Sequence, residues 1–330
     1  MRPKRDTLSG GAYHVISRIA HQSFLMDERE RDEFVDLLRR VADFSGITVY
    51  TYAVMSNHFH LLIRVQRRTE VSDEELLRRL RVLYGEMRFE KTMKRWKWWE
   101  DHGMGNLVEE TKKRLVARMY DLTQFVKTLK ESYSVGYNRR HDHYGTIWES
   151  RFKSLLVESS YEGLMVLGSY IETNPVKAGM VKKVGDYRWC GYGAAAQGNA
   201  WAKRGLRAMV QAALPDGARL LTEEETMARY RIEIERIRPG CISGQDTDSE
   251  FIRKKVETAI ANGESLDRSC MGYCHVAQFE RGGIIGSASF VQGIQNRNGH
   301  HGQSVEMYRW KSLGLFVRHA VKGPTVKYAG

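Results

Sequence analysis

The tightest constraint on this chain is a pair of apolar, β-branched runs set three residues apart. Residues 47–55 read ITVYTYAVM and residues 59–65 read FHLLIRV, with only S-N-H between them. Two such runs on so short a connection predict one antiparallel hairpin. Upstream, AYHVISRIA (12–20) alternates after Gly10-Gly11 and predicts another strand. Between them, Phe34, Leu37, Leu38 and Val41 fall at i, i+3, i+4 and i+7, which is one helix face. Gly46 suits the left-handed cap that ends such a helix.

Beyond the hairpin, Ser72 and Glu75 form a capping-box pattern. It opens a long charged helix through Leu76, Leu80 and Leu83 towards the basic-aromatic run KRWKWW (94–99). DHGMGN reads as a loop. Met119, Leu122, Val126, Leu129 and Tyr133 predict a second amphipathic helix. NRRHDHYG is turn-like, and TIWESRFKSLLVES (146–159) is extended. YEGLMVLGSYIETNP is a helix that stops before Pro175. The order β-α-β-β-α-β-α predicts an α+β fold: a ferredoxin-like (RRM-like) antiparallel sheet with helices on one face. It occupies a first domain, residues 1–195, interrupted by a charged helical insertion over about 72–115. AAAQGNAWAKRG reads as a linker into a second, mainly helical accessory region, 196–330, with a DNA-binding role. There Thr222 and Glu225 cap a helix to residue 238, a short helix covers 251–261, and a Gly-rich polar stretch precedes a basic tail.

The formal net charge of +12 favours a polyanionic partner, nucleic acid ahead of an acidic membrane surface. No window approaches the ~18 uninterrupted apolar residues of a membrane span. The N-terminus has no apolar signal core, and four scattered cysteines make no disulfide framework. The expectation is a cytoplasmic, nucleoid-associated protein with no membrane partner.

His58 and His60 stand two residues apart at the start of the second hairpin strand. Side chains alternate faces along a strand, so both imidazoles project together while Phe59 turns away. Two such rings can hold one divalent cation from one side and leave positions open. Taken alone, an H-x-H pair is more often a surface or core feature than a metal site.

NHFHLLI resembles the H-hydrophobe-H motif of the HUH-type, single-tyrosine transposases. GAYHVISR, YNRRHDHYGTIWESRFKS and SYIETNPVKAGMV follow in the order of the REP-associated tyrosine transposases, relatives of the IS200/IS605 group. The resemblance spans roughly residues 10–195, with gaps over the charged stretch 72–115. It implies Tyr170 as the nucleophile and Asn174 as third metal ligand beside His58 and His60. It implies a single-stranded or hairpin DNA substrate, such as a palindromic repeat, cut through a 5′-phosphotyrosine. Helix geometry agrees: at about 100° per residue, Tyr170 and Asn174 share one stripe, beside the apolar stripe of Leu164, Leu167 and Ile171. Mixed nitrogen and oxygen ligation suits Mg²⁺ or Mn²⁺.

Arg139, Arg140, Arg151, Lys153 and Lys177 surround this motif set and are expected to hold phosphates. Trp96, Trp98 and Trp99 among basic residues suit stacking on unpaired bases, or burial. Tyr137 with His141 is a rival tyrosine–ligand pairing, in a stretch read as turn. Cys270, Cys274 and His275, with His300 and His301, match no strong zinc pattern. Two other readings stand beside the transposase: a metal-dependent nuclease using water, and a hairpin-binding protein that does not cut. Monomer and homodimer are both compatible with the sequence.

Overall fold

The computed structural model describes residues 8–236, 283–297, 307–310 and 315–319. The expected order is present. Strand β1 (Ala12–Arg18) leads to helix α1 (Glu28–Ser45), then β2 (Ile47–Val54) and β3 (His58–Val65). Four helices follow: α2 (Asp73–Tyr84), α3 (Glu86–Asp101), α4 (Gly105–Ala117) and α5 (Leu122–His141). Strand β4 (Lys153–Val157) and helix α6 (Tyr161–Lys177) complete the unit. The strand order β2-β3-β1-β4, all antiparallel, with α1 and α5 as the two crossovers, is the ferredoxin-like arrangement.

Local chemistry sets the element ends. The Asp27 side chain accepts from the Glu30 N–H at 2.8 Å and caps α1. Gly46 closes that helix at φ 63°, where a Cβ would also run into the Tyr120 ring. Ser72 caps α2 as its spacing predicts. The long charged helix is broken, however, by Gly85 at φ 72°. Its flanks are continuous in helix-forming residues, so only the glycine marks the corner between α2 and α3. Residues 105–117 are helical as well, so the insertion is a three-helix unit.

The sheet has two unlike faces. Tyr13, Val15, Phe59, Leu61 and Ile63 meet α1 and α5, with Phe34 against Phe59 (ring centroids 4.9 Å) and Tyr133 against Phe34 (5.2 Å). The crossover helices α1 and α5 thus share one face, as expected. The opposite face carries α6 and α8 (Ala200–Ala213). The stretch read as a linker is therefore structured. α7 (Gly191–Ala196) and α8 follow β4 and α6 directly, and Trp201 packs on Tyr52 at 5.5 Å. Gly205 lets α8 approach so closely that a Cβ there would meet the Val49 carbonyl. Past the expected boundary at 195, the chain thus continues into the same packed body.

α6 is buried on all sides, residues 163–173 without exception. The sheet covers one side, while α8 and α9 (Glu223–Arg236) cover the other. LMVLG carries no polar stripe, which is the pattern of a helix buried all round. α6 also runs through Pro175 rather than stopping before it. A proline there deprives the carbonyl of Ile171 of its donor. The Asn174 side-chain amide supplies substitutes, donating to the Tyr170 carbonyl (2.9 Å) and the Ile171 carbonyl (3.4 Å).

The Gly-rich stretch near 283 is not loop. β5 (Gly283–Gly286) pairs parallel to β4, Leu156 opposite Ile284, and α10 (Ala288–Arg297) follows. β6 (Met307–Trp310) and β7 (Leu315–His319) extend the sheet to seven strands, order β2-β3-β1-β4-β5-β7-β6. The helix expected at 251–261 lies outside the described residues.

Candidate active site

The β3 register places the paired histidines. His60 lies opposite Ala53 of β2 and Ile16 of β1, and Ile16 lies opposite Lys153 of β4. Residues opposite one another in an antiparallel sheet share a face. Lys153, Ile16 and His60 thus form one row on the α6 side. The same-face rows on either side of it hold His58 opposite Arg18 and His14 opposite Leu62. The β1 alternation Ala12, His14, Ile16, Arg18 therefore delivers an imidazole and a guanidinium to the same face. Sequence reasoning missed both, although the period-two pattern of GAYHVISR carries the signal.

Three imidazoles and one phenol meet there. The His58 and His60 rings are 5.0 Å apart and nearly perpendicular. His14 Nε2 is 2.9 Å from His60 Nδ1. The Tyr170 ring stands edge-on to His60 at 5.7 Å and to His14 at 6.1 Å. Lys177, two turns further along α6, lies over the Tyr170 ring at 4.6 Å. Asn174 sits one turn from Tyr170 and is half-buried; its amide nitrogen faces its own helix, which leaves Oδ1 as the atom able to face a cation. Asn57 Oδ1 is 2.7 Å from His58 Nδ1, a bond that fixes that ring from outside the pair. Tyr170 itself is only 6% exposed.

The two histidines are held neutral. Burial, with Arg18 nearby, pushes His58 down to about 4. Burial also pushes His60 well below its ordinary value, reinforced by His58, His14, Arg18 and Lys177. A neutral imidazole has a lone pair to give. His60 Nε2 is buried and has no hydrogen-bond partner among the described residues. An orphaned buried nitrogen is costly unless something else meets it, and a cation is the fitting partner. Among the described residues no group of three His, Cys, Asp or Glu side chains is arranged to hold a metal ion. A mixed set, His58 and His60 nitrogens with the Asn174 amide oxygen, is the one the family resemblance implies, and its donor types suit Mg²⁺ or Mn²⁺.

The basic residues divide. Arg151 and Lys153 are exposed where β4 begins, the sheet end at which His58 lies. Arg139 is exposed near the end of α5. None of these three makes an ion pair among the described residues. Arg140 does: its guanidinium donates twice to Glu30, at 2.8 and 2.7 Å. α5 continues through the stretch read as a turn, so Tyr137 and His141 do share a helix face, with rings 4.2 Å apart. His141 Nε2 is 2.9 Å from Glu30, however, and this pair lies with α1, away from the paired histidines. Trp96 is core, Trp99 is half-buried under Arg95, and Trp98 is 51% exposed and stacked on His102. The expected Cys270, Cys274, His275, His300 and His301 lie outside the described residues.

The family described as IS200-like transposases matches residues 7–103. Over that span the chain resembles these transposases. The match includes His14, Arg18, His58 and His60, and ends before Tyr170 and Asn174. No curated protein matches the chain. A solved structure of a REP-associated tyrosine transposase bound to a REP hairpin aligns at 13% identity. It covers 67% of this chain and 99% of that one, with a TM-score of 0.39. No helix among the described residues is long and apolar enough to cross a membrane.

Proposed function

We propose that the protein cleaves and rejoins single-stranded, hairpin-forming DNA through a phosphotyrosine on Tyr170. The observation that carries this reading is the seating of the Tyr170 ring 5.7 Å from His60, with the Lys177 ammonium 4.6 Å from the ring centre. Positive charge near a phenol favours its ionised form, which is the attacking species. The phenolate oxygen attacks phosphorus, the P–O3′ bond breaks, and the 3′ oxygen leaves and takes a proton as a free hydroxyl. The phosphoester on Tyr170 retains the bond energy, so a second 3′-hydroxyl can reverse the step and rejoin a strand. Tyrosine thus does what water cannot.

His58, His60 and the Asn174 oxygen would hold one divalent ion, Mg²⁺ or Mn²⁺. Such an ion, when bound, neutralises charge on the scissile phosphate. Arg18 and Lys177 add fixed positive charge on the same face, and Arg151 and Lys153 extend it along the sheet end. A labelled hairpin oligonucleotide with Mn²⁺, denatured after incubation, tests the reading. The wild type gives a covalent adduct and Tyr170→Phe gives none. Cleavage that persists in Tyr170→Phe would assign the attack to water, and binding without cleavage would remove catalysis altogether.

A further inference from the structure

His14 is not among the ion's proposed ligands, and it is not the nucleophile. It touches both. Its ring centroid is 5.2 Å from that of His60 with the planes 7° apart, and the facing nitrogens are 2.9 Å apart. Parallel rings at that centroid distance and so short an N···N contact meet edge to edge, along a hydrogen bond lying in both planes. The bond uses His60 Nδ1 and leaves His60 Nε2 as the orphan.

One proton lies between the two nitrogens, and its owner decides what His60 can do. If His14 donates, His60 Nδ1 is the acceptor and neutral His60 must carry its proton on Nε2, an N–H aimed at the site that repels a cation. If His60 donates, Nε2 is a bare lone pair. A ligand imidazole is commonly fixed in this way by a hydrogen bond to its other nitrogen. We infer that His14 is a positioning residue that accepts from His60 Nδ1–H and so holds the His60 Nε2 lone pair towards the ion and Tyr170. The edge-on contact of His14 with the Tyr170 ring, at 6.1 Å, lets the same side chain seat the nucleophile. This rests on the proposed function, because it is the ion at His60 Nε2 that selects between the two donors; the tautomer can nevertheless be measured without it.

Two measurements on the full chain test it. With ¹⁵N-histidine labelling and no metal, His60 is expected as the Nδ1–H tautomer in the wild type; a dominant Nε2–H tautomer overturns the proposal. Mn²⁺ affinity, read by electron paramagnetic resonance without DNA, should fall about 10–100-fold in His14→Ala. His14→Gln, whose amide oxygen can still accept, should recover part of it. Unchanged Mn²⁺ affinity in a folded His14→Ala overturns the role of His14. No Mn²⁺ binding by the wild type overturns the metal site itself, and the tautomer measurement then decides the hydrogen bond separately. Should His14→Ala fail to fold, His14→Gln against the wild type carries the comparison.

Discussion

Glu30 and Glu172 are both completely buried, one on each face of the sheet, and they are treated in opposite ways. Glu30, on the α1 face, accepts from Arg140 twice, from Tyr133 at 3.0 Å, and has His141 Nε2 at 2.9 Å. Burial alone would raise its pKa, but these partners pull it down to about 2. Glu172, on α6 two residues past the proposed nucleophile, meets only neutral donors: the Thr51 hydroxyl, the Cys190 thiol and the Tyr192 N–H. Burial wins there and lifts it to about 7. The fold thus locks an ion pair into the face that only packs. It keeps an uncompensated carboxyl on the α6 face, two residues from the proposed nucleophile. Two things separate them: Glu30 has an arginine beside it while Glu172 has neutral donors, and Glu172 also lies deeper in the protein.

The largest way to break this contrast is to remove the cation. Arg140→Ala strips buried Glu30 of its guanidinium and leaves it only Tyr133 and His141; breaking a buried pair typically costs about 3–5 kcal/mol, and these two partners keep the loss at or below the low end. Urea unfolding at pH 7 should show that loss, while Arg139→Ala, one residue away and exposed, should stay within about 0.5 kcal/mol. Equal, small effects would mean that Arg140 is a solvated surface residue, free to hold phosphate as its sequence position suggests. The Glu30 contribution is full above about pH 4.5 and is lost as pH falls towards 2. The two arginines should therefore converge at acid pH.

Glu172 has the reverse sign. Its folded pKa lies above its ordinary value, so its contribution is full below about pH 4.5 and is lost as pH rises through about 7. At 1.36 kcal/mol per unit this is on the order of 3 kcal/mol across the window. Glu172→Gln, uncharged at every pH, should remove that slope and make the protein relatively more stable at pH 8 than at pH 5, compared with wild type. Parallel stability curves for the two proteins would show that Glu172 is ionised throughout and finds a cation in solution.

How much of this was legible in the sequence follows from how local each signal is. The β1-α1-β2-β3 run was readable because alternation, periodicity and caps are written within a few residues of one another. The shared face of the paired histidines was readable for the same reason, whereas Tyr170 and Asn174 were singled out by the family resemblance and not by local pattern. Glu30 looks like one charge among many in DERERDEF, yet it stands four residues before Phe34 and so falls on the apolar stripe. Its partner in α5 comes from a distant segment, so nothing local revealed why a charge could sit there. His14 and Arg18 needed the β1–β3 register before they joined the site. The GIIG strand was hidden for a further reason. Four residues, two of them glycine, become a strand only between β4 and β7, which supply the pairing from distant segments.

The smallest effect separates stability from binding on the face that carries the paired histidines. Arg151 and Lys153 are exposed and make no ion pair among the described residues, so Arg151→Ala and Lys153→Ala should each shift stability by less than about 0.5 kcal/mol. If they hold phosphates, each removed contact releases fewer counterions on binding. The slope of log affinity against log salt should then flatten by about 0.7 per residue for a single strand. Fluorescence anisotropy with a labelled single strand at several salt concentrations reads this directly. Arg139→Ala sharpens it further, since Arg139 neighbours the Glu30 cluster in sequence but points its charge to solvent. A flattened slope there would extend the binding track from β4 to the end of α5. Slopes unchanged in all three variants would take these residues off the DNA path and leave the salt dependence to other basic side chains.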